Sequence, residues 1–201
     1  MGISLNRTTV TPRERLLTTA TTLLDKEGIQ SVGINRLIAE AGVALMTLYR
    51  QFGDKDTLVA ASLEHWSTDW LQWLTDRLNG YGDDPEARFN GLFDALGEWF
   101  MSDSFHGSFI ASAAVELRGE PDHPAHRVID GHRLAVRQLL EDLATSTGAE
   151  SPSDLATQLQ VLIDGAIAMA SFDPSLEPAE EARKLALSAR AAGGRTTRAA
   201  S

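Results

Sequence analysis

The chain has 201 residues, enough for one large domain or two small ones, and its 43% hydrophobic and 23% charged residues are the balance of a folded protein rather than a disordered one. Its formal net charge is −10, and the lack of cysteine excludes disulfide staples, cysteine metal sites and thiol catalysis. By sequence no apolar run approaches a membrane span and no basic-then-apolar leader stands at the front, so the expectation is a soluble, cytoplasmic protein without a membrane partner.

Hydrophobic spacing predicts helices nearly everywhere and no strand. Thr11, Pro12 and Glu14 form a capping signature for the first helix. Leu16, Leu17, Ala20, Leu23 and Leu24 then recur on one face, and Gly28 ends the run. A short second helix carries Ile34, Leu37, Ile38 and Ala41 and closes at Gly42. The third covers about Ala44 to Gln51, with Leu48 and Phe52 turned inward. The fourth starts near Asp54, a good N-cap, and keeps apolar residues from Leu58 to Leu78 at a three-to-four spacing for about six turns.

A break at residues 80–85 separates it from a fifth helix with Phe89, Leu92, Phe93, Leu96, Trp99 and Phe100. A sixth is expected from about Phe105 to Leu117. The seventh starts near Pro124 and carries Val128, Ile129, Val136, Leu139, Leu140 and Leu143. Ser153 is the expected cap of the eighth, which holds Leu155, Leu159, Leu162, Ile163 and Ile167. A last helix is expected over Ala179 to Ala191, and residues 193–201 read as a disordered tail.

The stretch from Ile34 to Leu58 is the most informative. Two short apolar-periodic segments meet at Gly42 and a third helix follows, the layout of a helix-turn-helix that reads the DNA major groove. Thr47, Tyr49 and Arg50 face away from Leu48 and Phe52. Lys55 stands at the start of the next helix, where an ammonium and free N–H groups suit a phosphate.

The segment resembles the N-terminal domain of the TetR/AcrR-family transcriptional regulators. Leu37-Ile38-Ala39-Glu40-Ala41-Gly42-Val43 fits the family's first motif, differing at Ile38, where the family usually has Ala. Thr47-Leu48-Tyr49-Arg50-Gln51-Phe52 fits the second, and Lys55 with Leu58 the third. Phe109 to Glu116, followed by Asp122-His123-Pro124, is similar to one subgroup. The resemblance implies that Thr47 and Tyr49 hold phosphates, that Arg50 reaches a phosphate or a base edge, and that Lys55 clamps a backbone phosphate. It also implies a backbone or groove contact at Asn35 and, more loosely, phosphate contacts at Arg7 and Arg13. Two positions depart from the pattern. Gly33 replaces a capping Thr or Ser, and Leu45 replaces a Lys or other polar residue. Leu45 either packs inward or contacts a thymine methyl.

The acidic balance is uneven. Residues 1–60 carry seven Lys+Arg against six Asp+Glu, and residues 61–201 carry eleven against twenty-two. The negative charge therefore sits outside the DNA-reading segment, where it would oppose non-specific binding.

Aromatic residues crowd the middle of the chain. Trp66, Trp70, Trp73, Trp99, Phe100 and Phe109 either line a chamber for a small, largely apolar effector or pack as core; His106 and Glu116 are the polar groups expected with them. His123, His126, Asp130 and His132 are the one metal-like cluster, but no spacing fixes a ligand set, and the reading is a histidine-bearing helix start with no metal and no cofactor. The seventh and eighth helices, with Gly165, Ala166, Ala168 and Ala170, form the best surface for a two-fold homodimer.

The expected fold is all-α. Residues 1–53 would form a three-helix DNA-binding domain with the helix-turn-helix, helix 54–79 would link it to the body, and residues 54–192 would form a ligand-binding and dimerisation domain. The expected function is a transcriptional repressor that binds a palindromic double-stranded DNA operator as a dimer and is released by a small molecule. Two other readings stay open: a helical interaction protein with a degenerate helix-turn-helix, and an all-helical enzyme, for which no phosphate loop, H-E-x-x-H or telling carboxylate pair is present.

Overall fold

The computed structural model describes residues 10–196, with side chains to residue 192; Arg7 and the tail residues 197–201 lie outside the described residues. The described residues form nine α-helices and no strand: α1 (Pro12–Glu27), α2 (Ile34–Ala41), α3 (Leu45–Phe52), α4 (Lys55–Asn79), α5 (Pro85–Phe100), α6 (Phe109–Glu116), α7 (Ala125–Ser146), α8 (Pro152–Phe172) and α9 (Pro178–Thr196). A 3-10 turn at Pro174–Leu176 precedes α9.

The helices sort into two compact units. The first, the reading unit, holds residues 10–66 and 109–129; the second, the body unit, holds 67–108 and 130–196. These units cut across the division expected at residue 54. The physical reason lies in α6 and the start of α7: Phe109, Ile110, Ala113, Leu117, Ala125 and Ile129 belong to one buried cluster with Leu16, Leu24, Leu37, Leu48 and Leu58. Each buried face removes apolar surface from water, so the segment joins whichever neighbour completes its burial.

In the reading unit the first helix is capped as its sequence indicates. Thr11 Oγ1 accepts from Glu14 N at 3.2 Å, and Glu14 Oε2 accepts from Thr11 N at 2.7 Å. Those two bonds satisfy N–H groups that the helix leaves open, and they lower the Glu14 carboxyl pKa. At its other end Gly28 takes φ +87°, and a Cβ there would stand 3.1 Å from Glu116 Oε1.

In the body unit Asp84 caps α5 through Glu86 N at 3.0 Å. The Tyr81 ring rests on Gly91, where a Cβ would come within 2.3 Å of it, and the Tyr81 hydroxyl donates to Asp94 Oδ2 at 3.3 Å. α9 packs on α8 and on α5. Arg183 pairs with Asp94, and Arg190 with Glu86 at 2.8 Å, fastening α9 to α5.

Four expectations change. Residues 105–108 are not helical, since Gly107 takes φ +93° and α6 starts only at Phe109. Ser151, not Ser153, precedes α8; Ser153 lies inside it, and its Oγ accepts from Arg137 Nη2 at 2.7 Å. α9 runs on to Thr196, past the expected start of the tail. Finally, α8 is long and apolar enough to cross a membrane by length and composition, although only Ala, Gly, Ser, Thr and Gln break its larger apolar residues besides Asp154 and Asp164. A helix that buries several faces against protein has the same composition.

Candidate nucleic-acid interface

α2 ends where Gly42 adopts the left-handed conformation (φ +60°), with Gly42 N donating to Ala39 O and Val43 N to Ile38 O. A side chain there would be strained, which is why glycine marks the turn. Leu37 and Ala41 of α2 and Leu48 and Phe52 of α3 are buried. Arg13 lies over the Phe52 ring at 5.1 Å, and Arg15 Nε donates to Ala41 O at 3.4 Å. These contacts fix the turn and leave one face of α3 outward.

At about 100° per residue, the direction opposite Leu48 and Phe52 falls on Arg50, with Met46, one turn earlier, about 40° to its side. Met46 is 72% exposed, Tyr49 47% and Leu45 41%. Arg50 is exposed and makes no hydrogen bond or ion pair with the described residues, whereas Thr47 is half-buried. Asn35 is exposed in the first turn of α2. Neither Gly33 nor Ala44, the residues before α2 and α3, supplies a side-chain cap. Arg36 N and Thr47 N donate to Gly33 O and Ala44 O, which leaves the first two N–H groups of each helix available to an anion.

Lys55 behaves differently from the phosphate clamp implied by resemblance. Its Nζ donates to Ile29 O at 2.9 Å, in a half-buried position. On the other side of the same loop, Glu116 Oε2 accepts from Gln30 N at 2.8 Å and Glu120 Oε1 from Gln30 Nε2 at 3.1 Å. The loop between α1 and α2 is thus held at one peptide group, its Ile29 oxygen by the Lys55 cation and its Gln30 N–H by the Glu116 carboxylate, with Glu120 on the Gln30 side chain. Arg36 is occupied as well, paired with Glu27, which lowers the Glu27 carboxyl pKa through that bond. Asp54 Oδ1 accepts from Thr57 N at 2.7 Å and caps the start of α4; the bond holds the Asp54 carboxyl below its ordinary pKa.

The residues expected to form an effector chamber do not gather in one set. Trp66 and Phe109 meet edge-on at 6.3 Å between ring centroids, inside the reading unit. Glu116 is engaged with the α1–α2 loop, as above. In the body unit Trp70 contacts Trp73 at 6.3 Å and Trp99 at 5.6 Å, and Trp99 contacts Phe100 at 5.7 Å and Phe105 at 5.0 Å. His106 is exposed beside this cluster in sequence. His132 lies against Trp70 at 5.6 Å, and its Nδ1 shares a 2.8 Å hydrogen bond with Ser67 Oγ. Burial pushes the His132 pKa down to about 4, so the ring is neutral near pH 7.

Two clefts open elsewhere in the body unit. One of about 480 Å³ is lined by Leu71, Leu78, Arg88, Leu139 and Asp142 among others. The other, of about 550 Å³, includes Phe100, Met101, Glu177 and Arg183. Both volumes fall within the range of small-molecule sites.

The histidines near the α6–α7 junction serve the backbone. His123 Nδ1 accepts from Ala125 N at 3.1 Å, with Nε2 turned to Asp56 Oδ1 at 3.6 Å, and His126 Nε2 meets Glu120 O at 2.9 Å. No group of three His, Cys, Asp or Glu side chains suited to a metal occurs among the described residues. Met46 is the residue that the sequence reading passed over. Its signal was available in the spacing, two positions before Leu48 on the same helix.

Residues 16–62 match the model of the family described as bacterial regulatory proteins, tetR family. The HTH-type transcriptional regulator YjdC of Escherichia coli (strain K12) is 22% identical over 174 residues, covering 87% of this chain and 91% of that protein. An HTH-type transcriptional regulator of Staphylococcus aureus (strain USA300) is 41% identical over 46 residues, which cover 23% of this chain and 25% of that one. The crystal structure of SCO4454, a TetR-family transcriptional regulator from Streptomyces coelicolor, matches with a TM-score of 0.82 at 29% identity, covering 90% of this chain and 95% of that chain. Together with the exposed α3 and its glycine turn, these likenesses show that residues 16–62 carry the DNA-binding domain of the tetR family of bacterial regulatory proteins and that the chain has the fold of TetR-family transcriptional regulators.

Proposed function

We propose that the protein is a ligand-responsive repressor: a homodimer that binds a roughly palindromic operator and leaves it when a small, largely apolar molecule binds the body. The observation that carries this reading is the outward face of α3, held by buried Leu48 and Phe52, with Arg50 upon it making no hydrogen bond or ion pair among the described residues. Arginine is the commonest specific partner of guanine, and Thr47 and Tyr49 flank it where phosphates run. Asn35 would add a contact from the start of α2. Lys55 would reach a phosphate only by releasing Ile29 O, so its share of DNA affinity would come at some expense of the α1–α2 loop.

Pairing would use α8 together with α9, in place of the seventh-and-eighth-helix surface expected from sequence, because α9 packs on α8. Val161 (67%), Met169 (44%) and Phe172 (89%) of α8 are exposed, as is Leu185 (57%) of α9, while Gly165 and Ala168 offer no bulk against a close helix. Four such helices related by a two-fold axis make a bundle, and two-fold symmetry in the protein calls for symmetry in the operator. The effector would act in the body unit, where Trp70, Trp73, Trp99 and Phe100 provide apolar and stacking surface. α4 runs through both units, with residues 55–66 in one and 67–79 in the other. It gives the ligand a covalent route to Asp54 and Lys55. The ligand must prefer the conformation that binds DNA poorly, or it shifts nothing.

The test is fluorescence anisotropy of the full chain with DNA from upstream of its own gene, across a salt series. Arg50→Ala and Tyr49→Ala should each weaken binding, and only the loss of the Arg50 charge should flatten the salt dependence. Val161→Glu should give a monomer by sedimentation and lower operator affinity with it. A wild-type chain that sediments as a monomer while bound to its operator would remove the dimer from this reading.

A further inference from the structure

We infer that the operator is read by an apolar contact as well as a polar one, with Met46 seated on a thymine methyl group and Arg50 on a guanine about two base pairs away. The inference rests on the DNA-reading role of α3. Met46 is the second residue of α3, and the N-terminal residues of a recognition helix are those that meet base edges. It lies on the outward side of α3, about 40° from Arg50, which stands opposite the buried Leu48–Phe52 pair, and it is the most exposed of the large hydrophobic residues on α3, at 72%. Leu45 beside it is 41% exposed, so neither residue is spent on the core of the reading unit.

A thioether side chain offers phosphate nothing, because it has no donor, and among base edges in the major groove the thymine 5-methyl group is the apolar one. Arg50 stands four residues further along the helix, about 6 Å by helical rise, against roughly 3.4 Å per base pair step. The two side chains therefore fall on base pairs about two steps apart. With Arg13, Arg15, Arg36 and Lys55 each engaged inside the reading unit, such non-ionic contact would carry a larger part of sequence preference than of affinity.

The experiment starts by selecting operators from a random duplex pool with the full-length protein. Each thymine of a selected half-site is then replaced by deoxyuridine, which deletes the methyl group and keeps the base pairing. Wild-type protein should lose about fourfold in affinity at one position in the half-site, the effect of uncovering one methyl group. Met46→Ala and Met46→Gln should bind the two duplexes equally well, while Met46→Leu should keep the discrimination. Wild-type indifference to deoxyuridine at every position, or the same fourfold loss in Met46→Ala, would overturn the inference and leave the regulator reading standing. A wild-type chain that selects no sequence from the pool would bring down both.

Discussion

The reading unit and the body unit are made of the same kind of helix, yet they use apolar residues in opposite ways. In the reading unit short helices are held around a fully buried set, Leu16, Leu24, Leu37, Leu48 and Leu58, and apolar exposure is concentrated on α3 at Leu45, Met46 and Tyr49. In the body unit longer helices leave apolar residues outside on several elements, with Leu134, Val161, Phe172 and Leu185 each more than half exposed. The first pattern suits a rigid mount for one small surface. The second suits a scaffold whose surfaces are completed by something else. Apolar exposure is informative when it is contiguous, and Leu45, Met46 and Tyr49 meet that condition within little more than one turn of α3.

The sharpest way to break this comparison is Phe109→Ala. Phe109 is buried in the reading unit although it is distant in sequence from α1 to α3, and its truncation should cost about 3–5 kcal/mol in urea unfolding. A loss under about 1 kcal/mol would show that residues 109–129 do not belong to that core.

Acid should separate the two units next. The folded His132 pKa, about 4, lies below the ordinary 6.5, so between those values the unfolded chain binds more protons than the folded one. The stability from a neutral His132 is whole above pH 6.5 and is lost as pH falls towards 4, at most about 3 kcal/mol in all. Trp70, Trp73 and Trp99 lie in the body unit, so tryptophan fluorescence should report the acid transition there. His132→Gln should flatten the dependence between pH 6.5 and 4.5. The shifted carboxylates of the reading unit, Glu14, Glu27 and Asp54, are lowered and release their stability only below the ordinary carboxylate range.

Smaller effects compare the units cap for cap. Thr11→Ala removes a reciprocal cap in one unit, and Asp84→Ala removes a one-sided cap in the other; each should cost about 1 kcal/mol by chemical denaturation. Lys55→Met should be the mildest for stability, about 0.5–1 kcal/mol for the lost bond to Ile29 O. It also sharpens the role of that residue. An unchanged salt slope for DNA binding would mark Lys55 as a tie within the reading unit rather than a phosphate contact.

The parts of the fold that were legible in sequence are those decided by neighbours along the chain. Thr11, Pro12 and Glu14 announced the start of α1, and Gly28 and Gly42 its end and the turn, because each acts within one helical turn. Residues 105–108 look helical in sequence because Phe105 follows the apolar pattern, while what decides their conformation is Gly107 and the packing of Phe105 on Trp99 and Phe100. The partner of Lys55 is 26 residues away in the chain, and that of Glu116 is 86 away, so local pattern could not assign either. Met46 was legible from periodicity alone. Polarity alone does not mark it as a DNA-side residue, since a groove displays methyl groups as well as polar edges.

The residence of Phe109, Ile110, Ala113 and Leu117 among the helices that hold the DNA-reading turn bears on protein engineering. A transplant of residues 1–66 onto a foreign sensor would leave an oily trough along α1 and α4, inviting clumping in the cell. A workable graft would have to bring residues 109–129 along as a second inserted piece, or recast the uncovered leucines as polar residues before the swap.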